Sequence, residues 1–408
     1  MSENEKLDLL RKLVAFKTIN GHELPVAEFI QSLLTKEGIT SEIVPTGDDR
    51  ADLVATMGSG HPVLAICGHM DVVDVNTSNW HTDPFTVTPS DDGDTLYGRG
   101  TTDMKSGLAA MLIAMIEMKR KNTPLKGSIK LLVTSGEEVG QLGAEILQDK
   151  GYMDDVDALL IGEPSGYIGV YASKGELDVR VKATGVAAHS SMPELGVNAV
   201  EAMLQVLQKI KEELADRMQK AHNAVLGDTV FNIDTFHGGN QVNAIPASAE
   251  AEINIRVIPE LPNDEILKTI QATIDSFNSS SKAQISMDVE MNIIPVIGDK
   301  DSRLIQLAQK LTPAHMARLQ QTPANLKHIQ TAEKTLGVTF NPDKLLLIGV
   351  SGATDASKLL INHPEGFSFL VFGPGTGSVA HQDNEYVSKA AYLDFIDLYQ
   401  ELFSAYLS

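Results

Sequence analysis

Apolar residues recur at helical spacing over 5–17 and 25–37, giving each segment one apolar and one charged face. Two β-type runs follow, ADLVATM at 51–57 and HPVLAICGHMD at 61–71. The segment 106–121 predicts a long helix, IKLLVTS at 129–135 a buried strand, residues near 140–149 a helix, and ALLIG at 158–162 another strand. Strands alternating with helices predict an α/β domain whose sheet is covered on both faces.

Near residue 176 the texture changes. ELDVRVKATG alternates strictly between apolar and polar, as a half-solvated antiparallel strand does. A charged amphipathic helix at 197–219, strands at 229–236 and 249–257, a helix at 263–276 and a strand at 283–290 complete a β-α-β-β-α-β series, the order of a ferredoxin-like sandwich. From about 302 the helix and buried-strand pattern returns, with KLLLIGV at 344–350 and FSFLVFGP at 367–374. The expected organisation is one α/β domain, residues 1–176 and 295–408, interrupted by an α+β domain at 177–294. No internal repeat or low-complexity segment appears.

Composition narrows the classes. A chain of 408 residues exceeds what one hydrophobic core usually supports, so two domains are expected. Lys and Arg number 33 against 54 Asp and Glu, a net charge of -21 that disfavours nucleic acid and anionic membrane surfaces as partners. Cys67, the single cysteine, excludes an intrachain disulfide and reads as a buried core thiol. The start, MSENEKLDLLRKLV, has no basic segment leading into a long apolar run, and AAMLIAMIEM is far short of a membrane span. A cytoplasmic location is expected.

The candidate chemistry lies mostly at strand ends. His69 in GHMD closes one strand, and Asp71 lies two residues on, where it could accept the other imidazole N–H. Asp103, between GRG and MKSG, could neutralise two cations at once or cap the helix that follows, in competition with Thr102 and Ser106. Arg99 and Lys105 read as structural ion-pair partners. SGEE sets two carboxylates side by side after an apolar strand, a costly crowding unless a cation or proton compensates it. Neighbouring residues point differently, so Glu138 can bind metal while Glu137 serves as general base and acid. Glu163 follows ALLIG, and His381 follows the glycine-rich GPGTGSVA. Each residue has an ordinary structural reading by itself. Together they suit two divalent cations bridged by a carboxylate, a centre that activates water and polarises a carbonyl.

GHMDVV, LYGRGTTDMKSG, TSGEEVGQLGA, GEP and the late AHQDNE resemble the M20 metallopeptidase and deacylase family over essentially the whole chain. The resemblance implies a mixed-sheet zinc-hydrolase domain with helices on both faces, carrying an inserted lid or dimerisation domain. It implies His69, Asp103 and Glu163 on one metal, and Asp103, Glu138 and His381 on the other. Zn²⁺ is the foremost metal, with Co²⁺ or Mn²⁺ as alternatives. It further implies Glu137 as base, Asp71 behind His69, and a cis peptide after Asp103.

In the inserted domain, His189 reads by itself as a turn histidine before a helix. The resemblance implies that it reaches across a homodimer to steady the oxyanion, as an aimed imidazole N–H can. Asn240, Asn243 and Arg256 correspond to substrate-facing groups, and Gly352 and Thr354 lie in a loop of the kind that grips a free carboxylate. Within the family the motifs look most like the succinyl-diaminopimelate desuccinylase and acetylornithine deacetylase branch. That implies cleavage of N-succinyl-LL-2,6-diaminopimelate, with N-acetylornithine, other N-acyl amino acids and dipeptides as alternatives. Lys174 stands where an arginine often meets the succinyl carboxylate, and a lysine lacks the planar fork. A metal-binding interaction module is the non-enzymatic alternative, and the spare Glu137 argues against it.

Overall fold

A computed structural model describes residues 1–319, 330, 333–334, 339, 341, 343–363 and 365–408. The chain forms two compact units. Met1–Tyr171, Ile297–Ile348 and Thr354–Ser408 make one, and Ala172–Val296 with Gly349–Ala353 the other.

Among the described residues a nine-stranded sheet runs through the first unit. Its order is Thr40–Pro45, Ala51–Gly58, Ser128–Thr134, Val63–His69, Ala158–Ile161, Phe369–Val371, Ile168–Ser173 and Val296–Ile297, with Leu346–Val350 also paired to Ile168–Ser173. The strands from Ser128–Thr134 to Phe369–Val371 are parallel to one another. Ala51–Gly58 and Ile168–Ser173 flank them antiparallel, so the sheet is mixed, as expected. Val63–His69 and Ser128–Thr134 are buried at every position. Successive strand residues point to opposite faces, so unbroken burial requires cover on both. Lys130 fits within such a strand because its amine reaches Tyr152 O at 2.8 Å and the Asp155 carboxylate.

The helix Lys105–Arg120 is buried from Lys105 through Met118, which is why its sequence is apolar almost all round. It lies so close to the sheet that a Cβ at Gly107 would stand 1.9 Å from Gly162 O. Lys105 corrects one expectation. Among the described residues its amine forms no ion pair but donates to Leu13 O at 3.0 Å and Phe16 O at 2.9 Å, at the C-terminal end of the helix Glu3–Ala15. Burial depresses its pKa to about 7, against the pull of Asp71, Glu385 and Glu23. Neither Asp103, Thr102 nor Ser106 caps the following helix. Met104 precedes it without a side-chain hydrogen bond.

The elements not singled out in the sequence include the strands Thr40–Pro45 and Ile168–Ser173 and the helix Lys389–Tyr406. That helix buries Phe395, Tyr399 and Phe403, and the Tyr399 hydroxyl donates to Phe372 O at 2.6 Å.

The second unit has the expected β-α-β-β-α-β order. Its antiparallel sheet runs Val230–Gly238, Ser248–Val257, Gly175–Thr184, Gln284–Ile293, with the helices Ala199–Lys220 and Asn263–Ser280 packed against it. Gly175–Thr184 and Ser248–Val257 alternate between buried and half-exposed residues, one face towards the helices and one away. Val230–Gly238 is an edge strand that leaves Val230, Ile233 and Phe236 exposed. Among the described residues no helix is long and apolar enough to cross a membrane.

Gly107→Ala reports on the helix–sheet contact. In a free helix the change gains up to about 1 kcal/mol. Here the clash with Gly162 O should turn that gain into a loss of roughly 1–3 kcal/mol, read from the urea-unfolding midpoint.

Candidate metal centre

Parallel strands in register end together. His69 pairs with Thr134 and Cys67 with Ile161, so the residues just past these strands share one edge of the sheet. His69 is the last residue of its strand, Glu137 and Glu138 follow Thr134 by three and four residues, and Glu163 follows Ile161 by two. His381 arrives from the loop after Phe369–Val371, with φ at +62°. That left-handed backbone costs a non-glycine residue about 1–2 kcal/mol, a strain found mostly where geometry serves a site.

The sequence candidates meet in two overlapping groups, His69–Asp103–Glu163 and Asp103–Glu138–His381, each with ligand atoms within 4.8 Å of one another. His69 Nε2 is 3.1 Å from Asp103 Oδ1 and 3.3 Å from Glu163 Oε1. His381 Nε2 is 3.0 Å from Glu138 Oε2 and 3.5 Å from Asp103 Oδ2. Asp103 thus faces one group with each oxygen. The Asp103–Met104 peptide is cis. Glu137 is half-buried, and its carboxyl has no hydrogen-bond or ion-pair partner among the described residues.

Asp71 is placed differently from the expectation. His69 Nδ1 lies 3.0 Å from the Asp71 main-chain carbonyl and 3.6 Å from its carboxylate. The N–H that fixes the imidazole tautomer therefore goes to backbone. The carboxylate accepts the N–H groups of Glu137 and Glu138, both at 3.1 Å. Its pKa is lowered: burial opposes the charge, and the His69 imidazole and these two donors outweigh it.

Glu385, in the AHQDNE motif but not singled out from sequence, anchors the loop bearing Asp103. Its buried carboxylate accepts from Arg99 Nη1 at 2.7 Å, Gly100 N at 3.0 Å, Thr102 N at 2.7 Å and Asp103 N at 2.9 Å. Arg99 is the structural ion-pair partner expected, and it also donates to Gln382 O at 3.3 Å. Nothing in the local sequence marks Glu385, because its four donors come from a loop 282–286 residues away. Asp355 is buried. It accepts from Thr134 Oγ1 at 2.6 Å, beside the buried thiol of Cys67 at 3.7 Å.

The electrostatics fit cations. Burial first, and then the neighbouring Asp103, push Glu163 up to about 8. Burial likewise raises Glu138, and it raises Glu137 well above the carboxylate range, helped by Glu163, Asp355 and Glu138. Hydrogen bonds that its ring donates to the Asp103 and Glu138 carboxylates lift His381 to about 10. Carboxylates crowded in a dry site raise one another in this way until positive charge arrives. Imidazole nitrogens and carboxylate oxygens are donors suited to divalent first-row cations. The residues fit a pair of such ions sharing Asp103.

The remaining candidates lie apart from this cluster in sequence, most of them in the second unit. His189 is exposed, and its Nδ1 accepts the Ser191 N–H at 3.1 Å. Lys174 is buried and donates to Asp228 O at 2.6 Å, and Arg256 Nη2 pairs with Glu176 at 2.7 Å. Asn240, Asn243 and Gly352 are exposed. Thr354, in the first unit, accepts the Ala356 N–H at 3.4 Å.

A family model described as peptidase family M20/M25/M40 matches residues 65–405. The chain belongs to this family. It is therefore a metal-dependent hydrolase. A relative from Staphylococcus epidermidis, named a probable succinyl-diaminopimelate desuccinylase, is 38% identical over 100% of this chain and 99% of its own. An acetylornithine deacetylase from Pasteurella multocida is 28% identical over 92% of this chain and 88% of its own. The fold matches that of an M20 family metallo-carboxypeptidase from Sulfolobus solfataricus, with a TM-score of 0.75 at 19% identity, over 100% and 99% of the two chains.

Two outcomes are expected of this family member's centre. Without metal, Glu163 and His381 hold protons at pH 7, because their pKa values lie near 8 and 10. Cation binding must displace those protons, so affinity should climb as pH rises from 6 to 9. Calorimetry in buffers of different ionisation enthalpy should register the proton release, and a pH-independent affinity would contradict it. Glu385→Gln, which sets an amide NH₂ against the loop's N–H donors, should weaken metal binding by about 10–100-fold in a chelator competition.

Proposed function

We propose that the protein hydrolyses the amide bond of a small N-acyl amino acid, with N-succinyl-LL-2,6-diaminopimelate as the foremost substrate and succinate and LL-2,6-diaminopimelate as products. The observation that carries amide hydrolysis is Glu137, an unpartnered carboxyl beside two ligand groups that share Asp103. A closed structural metal site has no use for such a spare base. The full-length relation to a probable desuccinylase supports the substrate, and with it a cytoplasmic role in lysine biosynthesis.

In this reading His69, Asp103 and Glu163 hold one cation, and Asp103, Glu138 and His381 a second. Zinc best matches the imidazole and carboxylate donors, with cobalt or manganese next. Bound there, the pair supplies a lowered water pKa and a polarised carbonyl. Glu137 takes the proton from water and returns it to the leaving amine. Burial raises its pKa, which favours its taking up that proton. Asp71 fixes the backbone from which that carboxyl extends.

His189 accepts at Nδ1 and so carries its hydrogen on Nε2, the form that can donate to a developing oxyanion. Arg256, Lys174, Asn240, Asn243, Gly352 and Thr354 are the proposed contacts for the substrate's carboxylate and polar groups. Arg256 would exchange Glu176 for a substrate carboxylate, and Lys174 would release Asp228 O. A homodimer through the second unit is proposed as well. The exposed Val230, Ile233 and Phe236 on an edge strand support it, because such an edge invites pairing.

A second reading, an N-acetylornithine deacetylase or a dipeptidase, is favoured by Lys174, whose amine is engaged within its own unit. Under identical metal loading, amine release should be fastest with N-succinyl-LL-2,6-diaminopimelate. A clear preference for N-acetylornithine or dipeptides would select the second reading. Glu137→Gln should lose roughly 10²–10⁴-fold in kcat while keeping its metal. Equal loss of metal and activity would remove Glu137 from the role of base.

A further inference from the structure

The turn that carries Glu137 and Glu138 is held from behind by three buried carboxylates, two of which belong to no motif. Its four successive main-chain N–H groups each donate to one of them. Ser135 N donates to Asp52 Oδ1 at 2.8 Å and Gly136 N to Glu23 Oε1 at 3.2 Å. Glu137 N and Glu138 N donate to the two oxygens of Asp71. Asp52 Oδ1 also accepts the Ser135 hydroxyl at 2.8 Å. Arg50 grips Glu23 with two prongs, Nε to Oε2 at 3.0 Å and Nη2 to Oε1 at 2.6 Å. Asp52, Glu23 and Asp71 are all fully buried.

Two glycines let this cradle close. Gly136 has φ at +68°, and a Cβ there would lie 2.6 Å from Arg50 Nη2. A Cβ at Gly143 would lie 2.1 Å from Asp52 Oδ1. The spacing of glycines in SGEEVGQLG thus records the approach of side chains that come from residues 23–52.

Burying three carboxylates is expensive, and a turn needs only ordinary acceptors for its N–H groups. Carboxyl oxygens accept four main-chain N–H groups in succession here, which leaves the turn little freedom. A carboxyl that must meet a water proton loses rate steeply when its backbone drifts by an ångström. We propose that Asp52 and Glu23, the latter braced by Arg50, are positioning residues that set the Ser135–Glu138 turn and thereby aim Glu137 and Glu138 for the hydrolytic step.

The proposal rests on Glu137 as base, and the test separates the two. Asp52→Ala, Asp52→Asn, Glu23→Gln and Glu137→Gln are compared as metal-loaded enzymes, with kcat expressed per metal-filled site. Asp52→Ala removes the acceptor and should lower kcat per filled site about 10–100-fold with KM unchanged. Asp52→Asn keeps a carbonyl oxygen for Ser135 and should restore most of that loss, which a role in overall folding would not predict. Should Asp52→Ala fail to fold, Glu23→Gln carries the test. It keeps one oxygen for Gly136 but breaks the Arg50 fork, and should cost several-fold in kcat alone. Wild-type kcat per filled site in the variant that folds overturns the cradle, even where Glu137→Gln is inactive. Turnover by Glu137→Gln overturns the base instead, and the cradle then stands or falls on the kcat of the Asp52 and Glu23 variants.

Discussion

Mutual repulsion among buried carboxylates is the constraint on which the rest of the first unit depends. Asp103, Glu137, Glu138 and Glu163 converge on the edge where parallel strands end, and dry surroundings push three of the four above their ordinary pKa. A fold left to itself would avoid this crowding. It is tolerable only because the backbone around the acids is fixed from behind and positive charge can be admitted in front. Glu385 fixes the Asp103 loop by accepting three main-chain N–H groups and Arg99, and Asp71 fixes the two glutamates by accepting theirs.

Close packing supplies the precision. The helix Lys105–Arg120 starts immediately after the cis Asp103–Met104 peptide and is pressed onto the sheet at Gly107 and Gly162. Small residues there let backbone meet backbone, so the position of Asp103 follows from the packing of a whole helix. Interiors are dense enough that a single added methyl has nowhere to go. Lys105 shows the same economy. A buried ammonium that might have joined the acidic cluster instead ties the helix Glu3–Ala15 to the base of the site through two carbonyls.

The second unit presents the opposite situation. Its central strands bury one face, while the edge strand Val230–Gly238 leaves apolar side chains in water. Its charged groups mostly satisfy one another, as Arg256 does with Glu176 and Arg180 with Glu252 at 2.7 Å. Family membership therefore says less about which acyl group is cut than about how it is cut. The groups that could hold metal are a set of fixed short contacts, whereas the side chains proposed to select a substrate are engaged elsewhere or exposed.

The sequence by itself determined the period of most main elements, the interruption of one α/β unit by a β-α-β-β-α-β insert, and the identity of the groups that converge at the strand ends. These signals are local: helical and strand periodicities, glycines beside acids, and a histidine or glutamate just past an apolar run. The strand Thr40–Pro45 stayed hidden because its exposed positions carry little pattern, whereas Lys389–Tyr406 does carry helical spacing, with Tyr392, Phe395, Tyr399, Leu402 and Phe403 buried and Asp394, Asp397 and Glu401 between them. Only the tertiary structure decided that His69 leans on the Asp71 carbonyl and not its carboxylate, that Lys105 serves a helix end, and that Glu385, Glu23 and Asp52 hold the turns. Apart from His69 and Asp71, which are two residues apart, those partners lie tens to hundreds of residues from one another. A hydrogen bond between distant segments does not name its partner in the sequence around either one, because its geometry comes from how the layers pack.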